Sequence, residues 1–324
     1  MTNEKLLDVL SRYPIQSSEI IFIRHSENKT YRVRDKSGNS YLLRIHLPFR
    51  ESMKGKQHTY EGILGELLMM EELALWSEHN VQTPLRNRDG EFITVIEHEG
   101  ELRNCSVITW LDGRDMMKDD GHHVELVRKI GSSLAELHAF FRQYVPVDLG
   151  NRPSQGIAYH EHLNRMIQSG VQKELFTSND AGIIEQTILL INSRLDGDNR
   201  TDGPDLIHGD LNRSNTIITA EGEVRFIDYG FFGSGYASLD VAMGAMMLSP
   251  DLRDDYLSEY YRERSITPND FLRLEGFMLT AIIGYYVFQL ENEQVHGWMR
   301  ERMPKLCAEL CLPFLNSKRI FYQI

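Results

Sequence analysis

The sequence is poor in cysteine and has no long apolar run, and each shortage excludes a class of protein. Three cysteines in 324 residues, Cys105, Cys307 and Cys311, cannot form a complete set of disulfides, which argues against a disulfide-stabilised secreted domain and favours a reducing compartment. No apolar run approaches the roughly 18–20 residues that span a bilayer, and Met1 to Ser11 lacks the apolar core of a signal peptide. We therefore expect a cytoplasmic protein without a membrane partner.

Basic residues are also in short supply. Lys and Arg number 35 against 47 Asp and Glu, and the formal net charge is -12. Such a chain repels nucleic-acid backbones and anionic membranes, so no nucleic-acid partner is expected. The acidity is compatible with a cationic substrate and also with a purely solubilising role. With 41% hydrophobic and 25% charged residues the composition is that of a globular protein, and its length predicts two domains or lobes.

Short runs rich in Ile, Val, Tyr and Thr dominate the first third of the chain and predict strands. The runs are Ile20 to His25, Lys29 to Arg34, Ser40 to His46, Phe92 to Glu97 and Cys105 to Leu111. Asp35 to Asn39 joins the second and third runs and has the composition of a hairpin turn. Between the third and fourth runs, Tyr60 to His79 has the apolar period of a helix. This part of the chain therefore predicts a small β lobe with one helix.

Beyond Gly113 the pattern changes to helix. Periodic apolar segments recur at Val124 to Phe141, Tyr159 to Val171, Ala181 to Leu195, Leu239 to Leu248, Leu252 to Arg264, Asn269 to Leu290 and Gly297 to Phe314. Two short strand-like runs, Thr216 to Thr219 and Val224 to Ile227, interrupt them around a turn. The predicted class is α+β, with a β-rich lobe over residues 1–111 and a larger, mostly helical lobe over residues 112–324.

One stretch combines the residue types that phosphoryl transfer needs. Two apolar residues lead into His208-Gly209-Asp210, Asn215 follows five positions after the aspartate, and the predicted hairpin returns to Asp228. Phosphoryl transfer uses a group that orients the attacking hydroxyl and hard oxygen ligands for Mg²⁺. A polar loop whose side chains merely cap backbone groups is the alternative. The spacing of Asp210, Asn215 and Asp228 around one hairpin favours the chemical interpretation.

This arrangement resembles the aminoglycoside phosphotransferase and choline kinase family, relatives of the protein kinases. In that family His-Gly-Asp is followed by an asparagine five positions on and by an aspartate after a hairpin. The resemblance implies a protein-kinase-like two-lobe fold with the nucleotide between the lobes. It implies Asp210 as the catalytic carboxylate, with Asn215 and Asp228 as ligands of Mg²⁺. The commoner His, Pro and Gly of the family are replaced at residues 212–214, which removes no catalytic atom.

The resemblance also implies nucleotide-binding residues in the first lobe. Ser26 and neighbouring backbone N–H groups would cover the phosphates, although the loop contains no glycine and is also compatible with a plain polar hairpin. Arg44 stands where a kinase keeps its phosphate-binding lysine, and arginine can grip a phosphate with two hydrogen bonds. Its implied partner is Glu66 on the following helix, with Glu71 and Glu72 as alternatives.

The end of the fifth strand is expected to bind the adenine base. By resemblance, the Thr109 carbonyl and the Leu111 amide would pair with the base edge, although an edge strand ending in a turn is equally compatible with these residues. Asp240 matches a family aspartate that anchors the catalytic loop. Arg152-Pro153 resembles an Arg-Pro pair found in some relatives, without a role that the sequence reveals.

The sequence thus predicts an enzyme dependent on ATP, with GTP as the alternative, and on Mg²⁺. It would phosphorylate a hydroxyl of a small molecule such as an aminoglycoside-like sugar, an amino alcohol or a related metabolite. A serine/threonine protein kinase of the same fold and a catalytically silent nucleotide-binding regulator are the alternatives. The intact Asp210, Asn215 and Asp228 argue against the silent regulator.

The acidic segment 251–261 is either a cationic-acceptor site or a solvated helix start. The oligomeric state is not determined by the sequence.

Overall fold

The computed structural model describes residues 2–25, 28–46, 55–196, 205–262 and 264–324. The chain forms two compact units, and each is assembled from segments that are distant in sequence. The first unit comprises Met1–Gly113, Gln143–Pro153 and Tyr229–Phe231. The second unit comprises Arg114–Arg142, Ser154–Asp228 and Phe232–Ile324.

The first unit is built on an antiparallel sheet. Its strands are β1 (Ser17–His25), β2 (Asn28–Asp35), β3 (Ser40–His46), β4 (Pro84–Leu85), β5 (Ile93–His98) and β6 (Glu101–Thr109). Their order is β1-β2-β3-β6-β4, and β5 pairs antiparallel with β6 from Glu101 to Ser106. The β2–β3 turn is closed by Asp35, whose Oδ1 accepts the amides of Ser37 and Asn39, while Gly38 takes a φ of 92°. Such a φ favours glycine at this position.

Two helices cover opposite faces of this sheet. Helix α1 (Asn3–Ser11) packs its apolar side into a buried cluster with Leu43 and Val107. Helix α2 (Tyr60–Trp76) begins at the N-cap Thr59, whose hydroxyl accepts the Gly62 amide at 2.9 Å. Successive side chains of a strand point to opposite faces, so Arg44 lies on the α2 side, next to Leu43 on the α1 side. The alternation of side chains along β3 therefore places the charged Arg44 in the interior, on the face of the sheet that α2 covers.

The second unit consists mostly of helices. They are α3 (Val124–Gln143), α4 (Ile157–Gln172), α5 (Ser178–Asp196), α6 (Ala237–Met246), α7 (Arg253–Tyr260), α8 (Pro268–Phe288), α9 (His296–Leu306) and α10 (Leu312–Leu315), with a π-helical turn between the last two. By length and composition alone α8 could cross a membrane, but 61% of its most apolar window is buried inside the protein. A sheet-based unit and a helical unit confirm the predicted α+β class.

Two small sheets in the second unit position the loops that the sequence singles out. In the first, β9 (Thr216–Ile218) lies between β10 (Val224–Phe226) and β7 (Arg114–Asp115). In the second, β8 (Asp205–Ile207) pairs antiparallel with β11 (Gly233–Gly235). Strand β8 therefore delivers the chain into the His-Gly-Asp loop, and the β9–β10 hairpin returns it to Asp228.

Candidate active site

His208 joins the loop after β8 to the end of β10. Its buried ring has Nε2 at 3.0 Å from the Ile227 carbonyl oxygen and Nδ1 at 3.3 Å from the Asp210 amide nitrogen. A carbonyl only accepts and an amide only donates, so these contacts assign the proton of a neutral imidazole to Nε2. Gly209, between His208 and Asp210, lies in the left-handed region with φ 77°. This histidine therefore fixes the backbone on both sides of the candidate site.

The loop is anchored from below by Asp240 of α6. Its Oδ2 accepts the His208 amide at 2.7 Å, and its Oδ1 accepts the Gly209 amide at 2.9 Å. The His138 Nε2 lies 3.0 Å from Oδ2. Burial by itself raises the pKa of a carboxyl, but the hydrogen bond and charge of His138 and the bond from Gly209 hold the pKa of Asp240 below its usual range. The predicted anchoring role of Asp240 is confirmed by these contacts.

The carboxylate of Asp210 is held by two amide groups. Asn212 Nδ2 donates to its Oδ1 at 3.1 Å, and Asn215 Nδ2 donates to its Oδ2 at 2.9 Å. Burial raises the pKa of Asp210 to about 6, and the nearby charge of Asp228 raises it too, while the bonds from the two asparagines oppose the shift. A carboxylate oriented in this way and titrating near neutrality can orient a hydroxyl and accept its proton.

Asn215 and Asp228 are brought together by the hairpin. The Asn215 carbonyl accepts the Ile227 amide at 3.0 Å, which extends the β9–β10 pairing by one step and places Asp228 at the strand end. Asp228 itself has a φ of 67°, a left-handed conformation that aspartate tolerates better than most residues. The Asn215 Nδ2 group donates to the backbone carbonyl and to Oδ2 of Asp210. Within the described residues, Asn215 Oδ1 accepts no hydrogen bond.

The chemistry of these donors fits a magnesium ion. Asn215 and Asp228 offer amide and carboxylate oxygens, which are the ligands that Mg²⁺ prefers. In the described part of the chain, no group of three or more His, Cys, Asp or Glu side chains gathers into a metal-binding cluster, so these residues do not form a zinc-type site.

Two residues without a predicted role support the loop. Asn212 caps the short turn Arg213–Asn215 by accepting the Ser214 amide at 2.9 Å, in addition to its bond with Asp210. An asparagine two residues before a backbone donor is a local signal that could have identified this cap. Gln155 is buried and donates from Nε2 to the Gly209 carbonyl at 2.9 Å. Nothing in its neighbourhood along the sequence predicts that contact.

In the first unit, Arg44 and Glu66 form a buried ion pair. Arg44 NH1 lies 2.6 Å from Glu66 Oε1, and the two residues are 5% and 2% exposed. Arg44 Nε donates to Ser106 Oγ at 3.2 Å. Its remaining nitrogen, NH2, is buried and has no hydrogen-bond partner among the described residues. Since an unsatisfied buried donor is unfavourable, this nitrogen is suited to an incoming anion.

The alternatives to Glu66 face elsewhere. Glu71 accepts two hydrogen bonds from the Arg86 guanidinium NH2, the shorter at 2.7 Å. Glu72 is exposed at the surface of α2. The structure therefore brings Arg44 together with Glu66 and not with either alternative. The predicted contact residue Ser26 lies outside the described residues.

Thr109 and Leu111 lie at the end of β6 in the first unit. The Thr109 amide donates to the Thr83 carbonyl at 2.8 Å, and its hydroxyl accepts the Thr83 amide at 2.9 Å. Leu111 is buried, and in the part of the chain that the structure describes its amide donates no hydrogen bond. Its contact with adenine stays a prediction.

The acidic helix α7 carries its own partners. Asp255 accepts from Arg128 NH2 at 2.6 Å, Glu259 lies 3.0 Å from Arg262, and Asp254 accepts the Tyr322 hydroxyl at 2.7 Å. All three carboxylates are thus engaged within the protein. These contacts favour the structural interpretation of segment 251–261 over an acceptor site.

The family to which the chain belongs is shown by its sequence. A model of the Phosphotransferase enzyme family matches residues 19–277, which is more than half of the chain. The chain therefore belongs to this family, and the predicted resemblance is confirmed. None of the curated proteins matches the sequence significantly.

Solved structures of small-molecule kinases share the fold. A microcompartment-associated aminopropanol kinase is 19% identical with a TM-score of 0.75, covering 98% of each chain. The amicoumacin kinase hAmiN, solved with AMP-PNP, Ca²⁺ and Ami, is 17% identical with a TM-score of 0.70, covering 100% of this chain and 97% of that chain. An ethanolamine kinase from Plasmodium vivax is 16% identical with a TM-score of 0.58, covering 98% and 85%. The predicted protein-kinase-like fold and the assignment as a phosphotransferase enzyme are confirmed.

Proposed function

We propose that the protein is an ATP- and Mg²⁺-dependent kinase that phosphorylates a hydroxyl group of a small molecule in the cytoplasm. The observation that carries this proposal is the Asp210 carboxylate. It accepts hydrogen bonds from Asn212 and Asn215, and burial and the charge of Asp228 raise its pKa. A catalytically silent regulator has no need of a partly buried carboxylate with a raised pKa, since ionising it there is unfavourable.

Each catalytic group has a defined task in this proposal. Asp210 orients the acceptor hydroxyl toward the terminal phosphate and receives its proton. Asn215, through Oδ1, and Asp228 hold Mg²⁺, which when bound neutralises charge on the nucleotide phosphates. His208 and Asp240 keep the loop in the geometry that these tasks require.

The first lobe, residues 1–111, is proposed to bind the nucleotide, and the second lobe, residues 112–324, to carry out the transfer. Arg44 binds phosphate through NH2, which has no hydrogen-bond partner among the described residues, while Glu66 fixes the rest of the guanidinium. The Thr109 carbonyl and the Leu111 amide pair with the adenine edge, and Ser26 covers the phosphates. ATP is the proposed nucleotide, with GTP as the alternative.

The proposed acceptor is an amine-bearing alcohol. Structures that share the fold have names stating action on aminopropanol, ethanolamine and amicoumacin. The net charge of -12 favours a cationic acceptor over an anionic one. We place amino alcohols and aminoglycoside-like sugars ahead of protein serine or threonine on these grounds.

The test measures ADP release by the purified protein with ATP or GTP, with and without Mg²⁺. The acceptor panel contains ethanolamine, aminopropanol, aminoglycosides and a protein mixture, and Asp210→Asn serves as the control. The proposal is supported if the wild type releases ADP in a reaction that depends on the acceptor and on Mg²⁺, and the Asp210→Asn variant does not. Transfer of labelled phosphate to protein instead would establish a protein kinase. Nucleotide binding without turnover across the panel would establish a silent regulator.

A further inference from the structure

Arg152 is an arginine that the protein interior encloses almost completely. It is 1% exposed, and burial lowers the pKa of its guanidinium to about 10, with the charge of Glu66 acting in the opposite direction. The group thus keeps its charge at neutral pH. Enclosing a charge is costly unless its hydrogen bonds are made inside the protein. The contacts of Arg152 therefore indicate what the residue is for.

Its guanidinium donates to three backbone carbonyls of the first unit. NH1 donates to Gly62 at 2.7 Å, and NH2 donates to Tyr229 at 2.9 Å and to Gly230 at 2.8 Å. A Cβ atom on Gly65 would lie 3.2 Å from Arg152 Cδ, so the glycine makes room for the arginine stem. One side chain thus holds a helix and a loop that are distant in sequence.

Both sets of carbonyls adjoin residues of the proposed site. Gly62 precedes Glu66 by four residues on α2, which places the two on one face of the helix. Tyr229 and Gly230 directly follow Asp228, whose backbone is in the left-handed region with φ 67°. A sparsely populated conformation persists when its surroundings determine it from several sides. The two hydrogen bonds to the residues after Asp228 supply such a constraint.

We propose that Arg152 is a positioning residue that ties the helix of Glu66 to the backbone following the metal ligand Asp228. It contacts no reacting group in this proposal and acts through the geometry of these two elements. The planar fork of arginine reaches carbonyls in different directions, whereas a lysine ammonium donates from a single atom. This inference rests on the proposed function, because the consequence that it predicts is altered use of MgATP.

The test compares Arg152→Lys with a matched control, Arg253→Lys. Arg253 is also 1% exposed, also has its pKa lowered to about 10 by burial, and also donates to backbone carbonyls, among them Ala245 at 2.9 Å. The probe is MgATP, and the readouts are the free Mg²⁺ concentration that gives half-maximal thermal stabilisation by ATP and the melting temperature without ligand. We expect Arg152→Lys to raise that Mg²⁺ concentration at least about tenfold, and Arg253→Lys to leave it unchanged at a similar loss of melting temperature.

A second measurement does not depend on nucleotide. Backbone hydrogen exchange at Tyr229–Phe231 and in the first turn of α2 should accelerate in Arg152→Lys and not in Arg253→Lys. Unchanged exchange there, or equal Mg²⁺ shifts in the two variants, would overturn the positioning role. Absence of any MgATP effect on the wild type would instead refute the proposed function, and the exchange comparison would still decide the role of Arg152.

Discussion

At the scale of single residues, the protonation of Asp210 is the property most directly tied to the catalysis that we propose. Burial first, and then the charge of Asp228, raise its pKa to about 6. A protonated carboxyl cannot receive the acceptor proton, so kcat/KM should fall as the pH decreases below about 6. Asp210→Asn should lower kcat by roughly 10²-fold or more at every pH while nucleotide affinity changes little. Steady-state kinetics from pH 5 to 8 at constant free Mg²⁺ provide the check, and near-normal turnover of the variant would contradict the assignment.

The same raised pKa has a consequence for stability. The ordinary value for Asp is 3.8, and the folded state holds the proton more tightly than the unfolded chain. The stability from this proton is complete below about pH 4 and is lost as the pH rises through 6. Going from pH 4.5 to 8, Asp210→Asn should therefore gain stability relative to the wild type by about 2 kcal/mol. Urea unfolding of both proteins in EDTA measures this difference, and a gap that does not change with pH would argue against the shift.

The Arg44–Glu66 pair allows a second test at this scale. Removing one member leaves the other charge buried, so Arg44→Ala and Glu66→Ala should each lower the free energy of unfolding by about 3–5 kcal/mol. The double variant should lose less than the sum, because the two residues act as one unit. Both single variants should also raise the nucleotide KM. Glu71→Ala, which removes the partner of the half-exposed Arg86, is the control and should cost about 0–1 kcal/mol. Full additivity would mean that the pair is not coupled.

At the scale of elements, α7 shows how an acidic helix can be structural. Its carboxylates Asp254, Asp255 and Glu259 are bound to Tyr322, Arg128 and Arg262. Replacing the three acids by their amides should lower stability by about 1–3 kcal/mol, since partly exposed pairs contribute little each. The acceptor KM should stay unchanged. A raised acceptor KM that added salt reproduces in the wild type would show that α7 binds the substrate after all.

At the scale of the whole molecule, nucleotide binding should appear as global stabilisation. A ligand that binds the folded state at a hundred times its Kd adds about 2.7 kcal/mol. MgATP should therefore raise the melting temperature by several degrees, and ATP with EDTA should achieve much less. Asp228→Ala should abolish the shift, whereas extra Mg²⁺ should restore it in Asn215→Ala, because a neutral ligand contributes less to the affinity for the metal than a charged one. Equal stabilisation by ATP with and without metal would remove the case for a Mg²⁺ site.

What the sequence by itself determined is the part of the protein that local pattern controls. Strand alternation and helical period predicted the α+β class because side-chain direction repeats every two or 3.6 residues. The sequence could predict that Asp210, Asn215 and Asp228 form one candidate site because one short hairpin joins them, so their spacing along the chain reflects their spacing in the fold. Asp240 also followed, by resemblance to a family motif.

Only the tertiary structure decided which distant groups meet. Glu66, Glu71 and Glu72 lie on the same helix, and packing against β3 alone determines that Glu66 is buried beside Arg44. The role of Arg152 depends on Gly62 and on residues 229–230, which are 90, 77 and 78 positions away. Gln155 reaches Gly209 across 54 positions. Such contacts leave no period and no turn composition in the sequence, because they result from how finished elements pack together.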